Sequence, residues 1–181
     1  MIELTPKLVR QLASEYPVGY DDSYFQNIDA GRRGNVEALK ALTEWKNPSA
    51  SGRPMKFENH PGKRRAWEYF LRGLKDYLPD GREKLRADFK SRAPVWAIFW
   101  HHVLYGTPIF DRYTNMAFSF FAEGKTLSRD QGAICAGGHW VLYDRYCVWF
   151  DEQLARLRAS DPGIDKRMLD RALVVYGGKR G

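Results

Sequence analysis

The strongest constraint on the fold is residues 94 to 105, which read Pro-Val-Trp-Ala-Ile-Phe-Trp-His-His-Val-Leu-Tyr without a charged side chain. A helix that is apolar nearly all round has no face to give to water. It belongs at the centre of a core that other elements build around it. A buried strand is the alternative, but the run shows no alternation and has no strand-like neighbours. Gly106-Thr107-Pro108 breaks the run, and Asp111 follows where the next helix starts.

The rest of the chain has helical periodicity. Thr5-Pro6 opens a short helix, with Thr as cap and Pro in the first turn. Residues 16 to 34 read as loop, punctuated by Gly19, Gly31 and Gly34. Asn35 caps a helix that ends at Asn47-Pro48, and the Ser, Gly and Pro of residues 49 to 62 predict a long loop. Lys63-Arg64-Arg65 opens a third helix, Pro79-Asp80-Gly81 is a turn, and a short helix carries Leu85 and Phe89. After Asp111 come a helix to Gly124, a glycine-bearing loop and a long helix over about 139 to 159. A last helix starts at Asp161-Pro162 and stops at Gly177. The predicted fold is all-α: a compact bundle of about seven or eight helices in one domain over residues 1–181. In that domain 1–34 form an N-terminal arm and loop, and 35–177 form the core.

Charge narrows the partner. Lys and Arg number 29 against 22 Asp and Glu, a net charge of +7, and there are six Trp, ten Tyr and ten Phe. Phosphates attract the cations and bases stack on rings, so this balance suits nucleic acid. A solvated basic face and a core full of rings is the plain alternative. Two cysteines are too few for a disulfide framework or a four-cysteine cluster, and no C-x-x-C or H-E-x-x-H spacing occurs. No metal or cofactor is therefore expected. The N-terminus lacks a basic start followed by a long apolar run, and no stretch is long enough to span a membrane. A reducing cytoplasm is the expected compartment. No pattern encodes an oligomer, and a monomer is the simplest form.

An Asp in the first turn of a helix, beside buried aromatics, has two readings. It can simply cap the helix. It can also be an anion, stabilised by free N–H groups, that acts on a developing cation or on a water. Here the residues themselves resemble a family. Pro108-Ile109-Phe110-Asp111-Arg112-Tyr113-Thr114-Asn115-Met116-Ala117 resembles the segment that carries the catalytic Asp in helix-hairpin-helix DNA glycosylases. Met168 to Gly177 resembles the closing helix of 8-oxoguanine-glycosylase-like bacterial proteins, and Trp45-Lys46-Asn47 is also similar to them. The resemblance spans roughly 36 to 177, and some members of the group serve in defence against phages with modified bases.

The resemblance implies a DNA-glycosylase-like fold, double-stranded DNA as partner, and Asp111 as the carboxylate that stabilises an oxocarbenium ion. Trp100, His101, Tyr105, Phe110, Tyr113 and Asn115 become candidate pocket residues. Lys63, Arg64, Arg65, Lys90 and Arg92 become candidate phosphate contacts, and Asn59 with His60 a candidate wedge for the duplex. Two departures stand out. The family's L-P-G-x-G-type hairpin is replaced by Phe89-Lys90-Ser91-Arg92-Ala93-Pro94, and the lyase Lys position holds Arg92 or Ala93, with Lys90 nearby. A monofunctional enzyme using Asp111 and a water is therefore expected, and a non-catalytic nucleic-acid-binding or interaction module is the alternative.

Overall fold

The computed structural model describes residues 3–17, 19–47 and 60–180. Among them are nine helices and no strand, the all-α architecture expected. No helix among the described residues is long and apolar enough to cross a membrane. The chain divides into two compact units, one of residues 18–107, the other of residues 1–17 and 108–181.

The first unit holds α2 (Asp22–Arg32), α3 (Val36–Trp45), α4 (Pro61–Tyr77), α5 (Arg82–Asp88) and α6 (Pro94–Tyr105). As its composition demands, α6 is the buried element, with every residue from Ala97 to Leu104 inside. Trp100 stacks on Phe70 with ring centroids 4.3 Å apart, and Phe89 meets it edge-on at 5.4 Å. The predicted cap of α3 is present: the Asn35 side chain accepts from the Ala38 amide at 2.9 Å. Loop was predicted over residues 16 to 34, whereas Asp22–Arg32 is a helix whose Tyr24, Ile28 and Gly31 turn inward. The physical reason is Gly31. It is not punctuation but a close approach, because a Cβ there would lie 2.8 Å from Leu42 Cδ1 and 3.2 Å from Val103 Cγ1. The loop predicted over 49 to 62 mostly lies outside the described residues, and its last two positions already belong to α4.

The second unit joins the start of the chain to its end. α1 (Pro6–Ser14) and α7 (Arg112–Glu123) both pack on α9 (Lys166–Arg180), and α7 also touches α8 (His139–Ser160). Thr5 caps α1 as predicted. Arg10 donates to both carboxylate oxygens of Asp161, at 2.7 and 2.8 Å, and Arg156 reaches Glu3 at 2.6 Å. The last helix differs from expectation at both ends. Asp161 closes α8, and α9 begins later, with Asp165 Oδ1 accepting from the Met168 amide at 2.7 Å. Nor does Gly177 stop α9, which runs on to Arg180. A Cβ at Gly177 would fall 2.0 Å from the Tyr113 carbonyl oxygen, so this glycine is where α9 lies against the backbone of α7.

Candidate functional site

Asp111 is assembled from both sides of the chain. Ahead of it, Ile109 and Phe110 are buried, and the Tyr143 hydroxyl donates to the Pro108 carbonyl at 2.8 Å. The Phe110 ring lies on Tyr146 at 4.4 Å between centroids. Two tyrosines one helical turn apart on α8 therefore hold the segment that delivers Asp111. Behind it, α7 begins. Asp111 has extended backbone angles and is its N-cap. One carboxylate oxygen, Oδ1, accepts from the amides of Tyr113 at 3.0 Å and Thr114 at 3.1 Å. The buried Thr114 hydroxyl accepts from the Asp111 amide at 2.7 Å and closes a reciprocal capping box. Amide donors and the positive end of the helix dipole both complement a negative charge at this position. The residue is half-buried.

Around this carboxylate the second unit places side chains of differing use. Tyr113 is half-buried, and its phenol oxygen accepts from the Arg129 guanidinium at 3.4 Å. Asn115 is buried, and its amide donates to the Gly132 carbonyl at 3.0 Å, which ties the following loop to α7. Phe110 is wholly interior, and that takes it out of the set able to touch a substrate. Tyr146 is also wholly buried, and its hydroxyl has no hydrogen-bond partner among the described residues. Burial first, then the charge of Asp170, pushes its ionisation well above the ordinary phenol range, and Asp111 adds to the effect. Asp170 lies on the buried face of α9, with the Arg167 guanidinium 4.0 Å away.

Three other predicted pocket residues lie in the first unit, where each already has a structural role. The Trp100 indole donates to Thr43 Oγ1 at 3.2 Å from within the aromatic nest, and this interior position removes it from the pocket set. His101 is buried, with Nδ1 3.0 Å from the Thr107 hydroxyl and its ring edge-on to Tyr105. The Tyr105 hydroxyl donates to the Tyr77 carbonyl at 2.8 Å, and burial pushes it up to about 12. His102, the neighbour of His101, shares a hydrogen bond of 3.0 Å with the Tyr24 hydroxyl, so both histidines are core residues.

The candidate phosphate contacts differ in how available they are. Lys63 reaches Asn47 Oδ1 at 2.5 Å and sits 6.0 Å from the centre of the Trp96 ring, and burial lowers its proton affinity. Arg64 pairs with Glu68 at 3.5 Å, a surface ion pair of the kind that costs little to open. Arg65 and Lys90 are exposed. Arg92 is exposed and lies 4.7 Å over the Tyr69 ring. His60 precedes α4 as its cap residue without a capping side-chain bond, and Asn59 lies outside the described residues. Between α5 and α6, Ala93 takes a left-handed φ of 44°.

Sequence reasoning missed Tyr143, Tyr146 and Asp170 as parts of the Asp111 surroundings. Tyr143 was legible only as one apolar position of α8, since nothing in the spacing says where a phenol hydroxyl ends up. Comparison of the chain with models of known families, with curated proteins and with solved structures finds no match.

Proposed function

We propose that this protein is a monofunctional DNA glycosylase that hydrolyses the N-glycosidic bond of a damaged or modified base flipped out of duplex DNA. The observation that supports the reading most is the Asp111 carboxylate, fixed at the N-terminus of α7 by two amides and left half-buried. In the proposed reaction the bond from C1′ to the base nitrogen breaks and its electron pair leaves with the base. The sugar becomes an oxocarbenium ion, which the Asp111 anion stabilises. Water then attacks C1′, and its proton passes to Asp111 and on to solvent, leaving an abasic site. Tyr113, two residues on from Asp111, is half-buried and accepts from the exposed Arg129, and in this reading Arg65, Lys90 and Arg92 supply positive charge for phosphates.

The capping box favours a second reading, in which Asp111 only caps α7 and the protein is a nucleic-acid-binding or interaction module. Asp111→Asn separates the two. Asn is as good an N-cap as Asp, so the helix start survives while the negative charge is lost. The enzyme reading expects base release, followed by mass spectrometry over a panel of damaged and phage-modified duplexes, to disappear in this variant with DNA binding retained. It also expects no borohydride-trapped adduct, because no lysine forms a Schiff base. Equal base release by the variant, or none by the wild type, leaves the module.

A further inference from the structure

On α4 the half-buried Tyr69 ring carries two guanidinium groups. Arg92 lies 4.7 Å and Arg72 5.7 Å from its centre. The two cations come from different elements, Arg72 from α4 itself and Arg92 from the turn that leads into α6. The ring is held from inside: Tyr69 meets buried Phe89 edge-on at 5.4 Å, and Phe89 meets buried Trp100 edge-on at 5.4 Å. Stacking on a ring uses the face of a guanidinium and leaves its N–H edge free to donate. Arg72 and Arg92 are both exposed, and neither forms a hydrogen bond or an ion pair among the described residues. Asp88, on which Arg92 acts through space, already accepts Lys84 at both oxygens and the Tyr77 hydroxyl. Two like charges gathered at one ring repel, and an anion that bridges them relieves the repulsion. The positive charge also continues along the helix. Arg65 is exposed one turn before Tyr69 on the same face of α4, and Lys90 is exposed two residues before Arg92. Arg65 and Arg72 are two helical turns apart, roughly 10 Å. That is about three phosphate steps of a strand, whose charges follow every ~3.4 Å along the axis. A row of this length fits a linear polyanion better than a single free phosphate. We propose that Tyr69, Arg72 and Arg92 form a preorganised clamp for the sugar–phosphate backbone of one DNA strand, with Arg65 extending it along α4. The ring holds both guanidinium forks before the strand arrives, so less side-chain freedom is lost on binding.

The clamp rests on duplex DNA as the partner, so its test reads binding and leaves base release aside. Affinity of the full-length protein for an unmodified, fluorescein-labelled duplex is measured by anisotropy over a salt series. Arg72→Gln and Arg92→Gln are each expected to weaken binding by about fivefold near 0.1 M salt, and to lower the slope of log affinity against log salt by about 0.9. Tyr69→Leu changes no charge and is expected to weaken binding by about threefold at an unchanged slope, while Tyr69→Phe keeps the ring and binds as the wild type does. Arg72→Lys keeps the charge without the planar fork and should bind more weakly than the wild type. A diffuse basic surface gives the opposite result: Tyr69→Leu and Arg72→Lys then bind like the wild type, and the clamp is wrong. Should Tyr69→Leu fail to fold, as read by circular dichroism, the variants at exposed Arg72 and Arg92 decide. Unchanged affinity and slope in both Gln variants, or no duplex binding by the wild type, overturns the clamp; the glycosylase reading is judged separately by base release. If the Gln variants lose affinity but the wild type releases no base from any duplex, the clamp stands and belongs to a DNA-binding module. Loss of binding to phosphatidylserine vesicles with duplex binding intact makes this face a membrane contact and also overturns the assignment.

Discussion

Replacing Gly177 by alanine tests the packing that places Asp111. A Cβ at this position would meet the Tyr113 carbonyl oxygen at 2.0 Å, its carbonyl carbon at 2.7 Å and its Cα at 2.9 Å. Real Cβ contacts essentially never fall below 3.0 Å, so α9 and α7 must separate by at least 3.0 − 2.0 = 1.0 Å. The clashing atoms are backbone in the first turn of α7, and no rotamer change relieves them. Overpacking of this kind costs about 3 kcal/mol, offset by about 1 kcal/mol because alanine favours the helix over glycine. A net loss of about 2 kcal/mol is expected, lowering the melting temperature by roughly 4–8 °C in a chain of this size. Gly178 is the control. It lies in the same helix, is exposed, and a Cβ there would meet nothing within 4 Å among the described residues, so Gly178→Ala should gain about 0.5–1 kcal/mol. Urea unfolding followed by circular dichroism reads both. The two differ by roughly 3 kcal/mol, which separates their midpoints by about 1.5 M at a slope near 2 kcal/mol per molar. Equal midpoints would refute the close approach of α9 to α7.

Other expectations follow from single sites. Ala93→Gly relaxes a left-handed residue at the start of α6 and should raise stability by up to about 1 kcal/mol in the same unfolding assay, after allowance for the greater freedom of glycine when unfolded. Thiol titration with Ellman's reagent at pH 8 should find one fast cysteine, the exposed Cys135, because burial pushes the Cys147 thiol up to about 12. Glu123 is held below its ordinary 4.5, first by its hydrogen bond from Lys125 and then by Arg145. With the folded value below the unfolded one, this contribution is complete above the ordinary range and fades as pH falls through the folded value. Glu123→Gln should therefore cost about 0.2–1 kcal/mol at pH 7 and nothing in strong acid, as read from melting temperatures across pH.

Periodicity and caps were enough to give the sequence its helices except α2, which read as loop. Thr5, Asn35 and Asp111 all cap where the residue types say they should, because an N-cap is a local bond between a side chain and an amide three residues on or fewer. The apolar run of α6 dictated its own burial, since it has no polar face to expose. Glycine misled twice, at Gly31 and Gly177, because a glycine that punctuates a loop and one that admits a neighbouring helix look alike in sequence. The same limit applies to the site. Asp111 could be singled out because its position depends on residues next to it. The reach of Tyr143 to Pro108, the use of the Asn115 amide on Gly132, and the burial of Tyr146 beside Asp170 depend on which helices meet. Those meetings join residues 17 to 35 or more positions apart, or on different helices. No local pattern encodes such contacts, and the packing of α7, α8 and α9 decided them.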